Sequence, residues 1–461
     1  MPLRVAIVGG GPAALYAAAE LARTNRPEVS VNLFDRLPTL GGLARAGVAP
    51  DHAERRGMIE VYARQARRNG RFRFFGNVEI GTHLTHTDLC RHHHAVIYAT
   101  GAADSRPLAI PGADLPGCHA ASAFVGWYNG HPDHADLDPD LDCDRAVVIG
   151  NGNVALDVAR LLLADRDTLA ASDMADHARA ALARSRIREV VVLGRRGPAE
   201  AAFTHPELLA LGALKDVRVD VERSALTAAT WPSADYGAGL RRSTLTRYAD
   251  AAPSAAPRCL ALRFLRSPVA ALGHDRLEAV RLVRNRLLVA ADGRMTAVPT
   301  AGEERLSAGL LVHATGYRGT PLAGLPFDAG RGVIPNRGGR VQATADGPDL
   351  PGVYVVGWIK RGPRGVIGSN KACAGETVSA LLADADAGRL APPVGNEVDL
   401  ERLLAARQPQ VVDYAGWQAI DRHERRRGQG RQPRNKVVRL DALLAVAAGV
   451  APSETPRCVG R

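Results

Sequence analysis

A chain of 461 residues, 46% hydrophobic and 23% charged, is long enough for two or three packed domains rather than one. No uncharged apolar stretch of eighteen residues occurs and the strand-like run LRVAIVGGG begins at Leu3, which excludes a membrane span and makes a cytoplasmic protein without signal or transit peptide the expectation. The net charge of +11 comes without a helix-turn-helix, zinc finger or aromatic-interleaved basic strand, which points to an acidic protein partner or phosphorylated substrate rather than nucleic acid, and the six cysteines (Cys90, Cys118, Cys143, Cys259, Cys373 and Cys458) lack the spacing of a dithiol or of a metal or iron-sulfur centre.

Residues 3–35 read as one βαβ unit: an apolar run at Val5–Val8, a glycine turn, an apolar-periodic helix from Ala13 to about Arg23, and the alternating strand VSVNLFD ending at Asp35. His92-His93-His94 reads as a polar strand entrance, since no carboxylate or cysteine supports a metal site there. AVIYATGA at 95–102 and LLVHATGYRG at 310–319 each run an apolar strand into Ala-Thr-Gly and look like matched crossings between domains. Between them, RAVVIGNGNVALDVARLLLA at 145–164 repeats strand, glycine turn and amphipathic helix, and EVVVLGRR supplies the next strand, Glu189 to Arg196. The polar stretch 165–186 is read as a helix-prone insertion. Residues 225–260, rich in Ala, Ser, Pro and Arg without clear period, are read as a surface excursion. From Gly352 the strand GVYVVGW leads into the loop IKRGPRGVIGSN and a helix; 398–449 is mainly helical, and the tail after Ala451 is predicted to be disordered.

The two glycine turns carry the chemistry. Gly9-Gly10-Gly11-Pro12-Ala13-Ala14 supplies G-x-G-x-x-A, in which glycine permits a tight turn and close approach of a pyrophosphate to a helix amino terminus. Asp35 ends the following strand, the place from which a carboxylate accepts hydrogen bonds from ribose hydroxyls. Gly150-Asn151-Gly152-Asn153-Val154-Ala155 repeats the pattern, but its following strand ends in Arg195-Arg196, suited to a 2'-phosphate. FAD in the first turn and NADPH in the second is the economical assignment.

With VAIVGGGPAALYAA at 5–18, GVAPDH at 47–52, FVGWYNGHP at 124–132, VVIGNGNVALDVAR at 147–160, VLGRRGPAEAAFTHPEL at 192–208 and GWIKRGPRGVIGSNKACA at 357–374, the sequence closely resembles the adrenodoxin reductase-type ferredoxin-NADP reductases, especially their bacterial cytosolic members. The resemblance covers nearly the whole chain. It implies an α/β fold of two Rossmann-like dinucleotide-binding domains in a glutathione reductase-like FAD/NADP architecture. The FAD domain, 1–104 with 325–461, is discontinuous, and the NADPH domain, 105–324, is inserted within it. The turns themselves place FAD at Gly9, Gly11 and Ala14 and NADPH at Gly150; the resemblance places FAD at Ala13, Asp35, Leu43, Val78, Trp358, Gly365, Val366 and Ile367, and NADPH at Asn151, Gly152, Asn153, Val154, Arg195, Arg196, Glu207 and Gly365. His52 and Glu207 match the family's polar pair beside flavin and nicotinamide; each has a catalytic and a purely structural reading.

The chemistry so implied is hydride transfer from NADPH to FAD, which demands alignment of two rings more than a strong acid or base, followed by single-electron transfer to an acidic ferredoxin or similar iron-sulfur protein. The helix starting near Ser369 is expected to aim its amino-terminal N–H groups at the pyrimidine side of the flavin, with Ile367 and Gly368 stabilising the reduced form. Arg241, Arg242 and Arg247 are candidates for docking the transient partner. A monomer is expected. A diaphorase or quinone reductase, and a non-catalytic flavin-binding subunit of a redox complex, are the competing readings.

Overall fold

The apolar runs that precede the two glycine turns become central strands of two separate parallel sheets. A computed structural model describes residues 2–24, 29–68, 70–232, 235–252, 256–290 and 295–450; Cys458 and the tail expected to be disordered lie outside the described residues. The chain divides into two compact units, one of Met1–Asp104, Asn129–Ala135 and Tyr317–Arg461, the other of Ser105–Tyr128 and Asp136–Gly316. The return to the first unit thus comes at Tyr317, ahead of the expected 325, and a short strap, Asn129–Ala135, joins the first unit from within the span expected for the second.

In the first unit a seven-stranded sheet runs in the order Asn336–Arg337, Arg340–Gln342, Asp349–Val355, Ala95–Tyr98, Leu3–Val8, Val29–Asp35, Phe72–Gly76. The five strands from Asp349–Val355 onward are mutually parallel, and both faces of the sheet are covered, as a parallel sheet requires. Val5 and Ile7 pack into one core with Leu15, Leu21 and Leu33, while Ala6 and Val8 pack into the other with Phe34, Tyr98 and Val355. The expected helix and strand appear as Pro12–Arg23 and Val29–Asp35. His92 and His93 are buried. The His93 ring lies 2.9 Å from Asn32 Nδ2, with burial the main cause that pushes it down to about 4, and His94 Nδ1 accepts the Arg4 N–H at 3.0 Å. The histidine run therefore ties together two interior strands of the sheet, Leu3–Val8 and Val29–Asp35.

In the second unit six parallel strands run Cys118–Ala120, Leu310–His313, Arg145–Ile149, Glu189–Gly194, Arg258–Phe264, Val217–Val221. Residues 225–260 are not a surface excursion. They include the helix Tyr236–Asp250 and the strand Arg258–Phe264, which lies between two other strands with Leu260 and Ala261 fully buried. The helix buries Ala238, Thr244, Leu245 and Tyr248, a stripe so poor in large apolar groups that its period is lost among arginines and alanines. The stretch 165–186 is likewise integral: it forms helices Arg166–Ala171 and Asp176–Ala183, buries Asp173 and Met174 completely, and the Ala175 N–H donates to the Tyr128 carbonyl at 3.0 Å. An antiparallel sheet of Arg266–Leu272, Ala279–Val289 and Met295–Ser307 completes the unit.

Candidate functional site

In the first unit the strand Leu3–Val8 passes to the helix Pro12–Arg23 through Gly9, whose φ of +105° is open to glycine alone. A Cβ there would stand 2.6 Å from the Ala99 carbonyl oxygen, so the turn lies flat on the first Ala-Thr-Gly segment. Gly11 faces the other way, with nothing nearer to an added Cβ than Gly42 Cα at 4.0 Å. The N–H groups of Gly11, Ala13 and Ala14 have no acceptor among the described residues. Open space in front of unmatched donors at a helix amino terminus is the setting for a pyrophosphate.

Asp35, at the end of its strand, turns its carboxylate onto this loop. Oδ2 accepts the Gly10 N–H at 2.5 Å and Oδ1 the Leu37 N–H at 2.8 Å. Burial pushes the carboxyl up to about 6, against the lowering pull of these two donors and of Arg36. Each oxygen keeps a lone pair for a further donor such as a ribose hydroxyl. The Asp35 carbonyl accepts the N–H of Val78, which is fully buried. Gly41 and Gly42, at φ +118° and +48°, fold the next segment back on the turn: the Gly41 N–H donates to the Gly10 carbonyl at 2.8 Å, and a Cβ on Gly42 would meet Gly11 Cα at 2.9 Å. Leu43 then opens the helix Leu43–Ala46 beside the cradle. These two glycines are site residues that a search for G-x-G alone passes over; their adjacency in PTLGGL was the available signal.

The segment behind the cradle is tied down by charge. Arg45 grips Glu424 with both terminal nitrogens, at 2.6 and 2.8 Å. Burial raises the Glu424 carboxyl, but Arg45 and Arg434 and the Val437 N–H outweigh it and hold the group down at about 2. Arg56 donates to the Val48 carbonyl at 2.6 Å and to Asn129 Oδ1 at 2.9 Å, and Lys436 reaches the same Oδ1 at 3.0 Å. His52 follows on this fixed stretch, its N–H on the Ala49 carbonyl at 3.0 Å, as the residue before the turn Ala53–Arg56.

At the far end of the first unit, Gly357 (φ +80°) brings the chain against the first cradle, since a Cβ there would lie 2.6 Å from Ala13 Cβ. Trp358 follows, its ring 5.9 Å from that of Tyr317 and its Nε1 buried without an acceptor among the described residues. Gly365 has φ +84° and Val366 is 65% exposed, while Ile367 packs on the core. The helix Ser369–Asp386 starts as expected, but its first donors are already used: the N–H groups of Ser369, Asn370 and Lys371 donate at 3.1 Å to the carbonyls of Val366, Ile367 and Gly368. The donors without a protein acceptor among the described residues are those of residues 365–368, one turn upstream.

The second unit repeats the construction. Gly150 takes φ +122° and a Cβ on it would stand 2.4 Å from the carbonyl oxygen of Ala314, in the second Ala-Thr-Gly segment. A Cβ on Gly152 would meet nothing within 4 Å. The N–H groups of Asn151, Gly152, Asn153 and Val154 have no acceptor among the described residues, and the helix Asn153–Leu162 begins there. The Asn151 side chain lies against Gly194, at the end of the next strand, where Arg195 and Arg196 follow. The Arg195 carbonyl accepts from Asn285 Nδ2 at 2.8 Å, which fixes the corner, yet among the described residues neither guanidinium has an ion-pair partner. Glu207 is buried on the helix His205–Ala210, where its charge acts on Arg160, which itself pairs with Asp157 at 2.8 Å. Of the docking candidates, Arg241 faces Asp235 at 3.7 Å, Arg247 lies 5.5 Å from the Tyr248 ring, and Arg242 is exposed.

The family model for pyridine nucleotide-disulphide oxidoreductases matches residues 3–191. The chain is 46% identical over 454 residues to a protein named probable ferredoxin/ferredoxin--NADP reductase of Mycobacterium leprae, covering 98% of this chain and 79% of that protein. It is 39% identical to the mitochondrial NADPH:adrenodoxin oxidoreductase of Arabidopsis thaliana, covering 97% and 96% of the two chains. The solved structure of Mycobacterium tuberculosis FprA in complex with NADPH superposes with a TM-score of 0.92 at 43% identity, over 97% of this chain and all of the other.

Proposed function

The chain belongs to the NADPH-dependent ferredoxin reductase family, and from that premise we propose how its residues divide the work. It is a flavoprotein oxidoreductase: hydride passes from NADPH to FAD, and electrons leave for an iron-sulfur protein. FAD, when bound, supplies the conversion from a two-electron donor to one-electron transfers. Everything else falls to the chain.

In this reading the N–H groups of Gly11, Ala13 and Ala14 hold the FAD pyrophosphate, Asp35 accepts from its ribose, Leu43, Val78 and Trp358 wall the cofactor, and the donors of 365–367 face the flavin. Asn151–Val154 hold the NADPH pyrophosphate, and Arg195 and Arg196 take the 2'-phosphate. Glu207 is a candidate for the nicotinamide carboxamide and His52 for a hydrogen bond or proton relay beside it. The first unit is the FAD domain and the second the NADPH domain. The observation that carries the division is the contrast between the strand ends: a half-buried carboxylate already oriented by Gly10 and Leu37 in one, two guanidiniums without ion-pair partners among the described residues in the other. The acceptor we propose is an acidic ferredoxin of the cytoplasm, which suits the net charge of +11. No helix among the described residues is long and apolar enough to cross a membrane.

The test is an anaerobic titration of the purified yellow protein. NADPH should bleach the flavin much faster than NADH, and cytochrome c should be reduced rapidly only once ferredoxin is supplied. Free turnover of quinones or dyes without stimulation by ferredoxin would favour a diaphorase; a flavin that NADPH leaves oxidised would favour a non-catalytic subunit.

A further inference from the structure

The arginine corner of the second unit is gripped by its backbone. Gly194, the last residue of the strand Glu189–Gly194, pairs with Phe264 in the neighbouring strand. Beyond it the Arg195 carbonyl accepts from Asn285 Nδ2 at 2.8 Å, and the Arg196 carbonyl accepts the Leu265 N–H at 3.1 Å. A peptide group is planar, so a fixed carbonyl fixes the whole plane to which it belongs. The Asn285 bond therefore fixes the plane between Arg195 and Arg196, which governs ψ of the first arginine and φ of the second. The Leu265 bond fixes the plane after it. Gly197, buried, follows beside the ribbon, where a Cβ would stand 3.5 Å from Leu287 Cδ1.

Both anchors belong to the place where the chain leaves the parallel sheet for the antiparallel ribbon. Leu265 joins the strands Arg258–Phe264 and Arg266–Leu272 at φ +54°, a region that leucine rarely enters and that persists only where the surroundings impose it. Its carbonyl accepts the Asn285 N–H at 2.9 Å, so Asn285 holds Leu265 as well as Arg195. The pairing within the ribbon shifts at this residue, from Val283 opposite Glu303 to Asn285 opposite Pro299, and such an irregularity re-aims a side chain. Asn285 is 6% exposed, and its Oδ1 is buried with no donor among the described residues. An amide with an unmatched oxygen serves stability worse than an apolar residue would. What the amide alone provides is the Nδ2 donor.

We infer that Asn285 is a positioning residue for the 2'-phosphate: by holding the peptide plane that Arg195 and Arg196 share, it aims both guanidiniums and so sets the preference for NADPH over NADH without touching either nucleotide. The inference rests on the assignment of Arg195 and Arg196 to the 2'-phosphate, which the double variant Arg195→Ala, Arg196→Ala tests by itself: if that variant keeps the wild-type preference, the assignment falls. Steady-state KM and kcat for NADPH and NADH are measured on the FAD-loaded protein with ferricyanide as acceptor. Asn285→Ala is expected to raise KM for NADPH about tenfold, comparable to the loss of one charge-assisted hydrogen bond, with kcat and KM for NADH nearly unmoved. Added to the double arginine variant, Asn285→Ala should raise KM for NADPH no further, because it acts through groups already removed. Ser267→Ala, which takes away the other acceptor of the same amide nitrogen, at 2.8 Å, should keep the wild-type preference. An unchanged preference in Asn285→Ala, an equal rise in KM for both nucleotides, an equal loss in Ser267→Ala, or the full loss repeated in the arginine-free background would overturn the inference. Should Asn285→Ala fail to fold, Asn285→Leu, similar in size but without a donor, decides: a tenfold loss of NADPH preference supports the role of the amide donor, and a preference near wild type refutes it.

Discussion

Two glycines two residues apart in the second turn do opposite jobs, and single substitutions separate them. Gly150 is required by the fold: its positive φ and the Ala314 oxygen 2.4 Å from a notional Cβ leave no room for a side chain. Gly150→Ala should lower stability by about 1–3 kcal/mol from backbone strain alone, read as a drop in the thermal midpoint. Gly152 has φ −99° and open space in front of it. Gly152→Ala should therefore melt with wild type while binding NADPH tenfold or more weakly, because its methyl takes the place of a phosphate oxygen; a variant that binds normally would move the pyrophosphate elsewhere. At the strand end, replacing Arg195 and Arg196 with alanine should remove charge-assisted hydrogen bonds of about 1.5–3 kcal/mol each. That is roughly 10- to 100-fold in KM for NADPH per arginine, with KM for NADH nearly unmoved. Equal losses for both nucleotides would refute the 2'-phosphate assignment.

Among the elements, the short helix Leu43–Ala46 depends on a residue far away in sequence. Glu424, fully buried on the helix Tyr414–Arg427, is the counter-charge that Arg45 needs. Breaking a buried pair leaves a stranded charge and costs about 3–5 kcal/mol, so Glu424→Gln should unfold at markedly lower denaturant concentration. The pH dependence has a definite sign. The folded carboxyl is held at about 2, below its ordinary 4.5, so its stabilisation is complete above pH 4.5 and is lost as pH falls from there toward 2. The variant should show a flatter stability profile across that window. Elements of this kind differ in how visible they are in sequence. The units around Gly9 and Gly150 were legible because a buried strand, a turn of obligatory glycines and a 3.6-residue period follow one another. The helix Tyr236–Asp250 was not, because only Leu245 and Tyr248 among its buried residues are large and apolar, and with Ala238 and Thr244 they set no clear period. The Glu424 anchor was equally hidden, since nothing in local sequence connects residues 379 apart. Arg361 was in view within a recognised motif, yet only the fold shows that its Nη1 is buried without an acceptor among the described residues.

At the scale of the whole chain, the proposed acidic acceptor implies an encounter steered by charge. With a net +11, reduction of an acidic iron-sulfur protein should slow steeply as salt rises from about 0.01 to 0.15 M, over which the Debye length shrinks from about 30 to 8 Å. At saturating NADPH, the bleaching of the flavin should change much less over the same range. A rate to ferredoxin that is indifferent to salt would argue against an electrostatically steered acceptor. The division into two units was largely legible from the paired Ala-Thr-Gly segments, and their closeness to the glycine turns supplies the reason. The backbone carbonyls of Ala99 and Ala314 are the floors on which Gly9 and Gly150 rest, so each turn demands a glycine where it meets its neighbouring strand end.

The strap Asn129–Ala135 bears on how such proteins can be recombined. Because it belongs to the first unit, the polypeptide changes unit at 104/105, 128/129, 135/136 and 316/317. Exchanging the nucleotide-binding portion with that of another reductase as a single cassette, 105–316, would carry Asn129 away from Arg56 and Lys436, which share its side-chain oxygen. A functional chimera therefore needs two donor pieces threaded around a recipient heptapeptide, and if Arg195 and Arg196 take the 2'-phosphate as proposed, point changes there are the simpler route to altered cofactor preference.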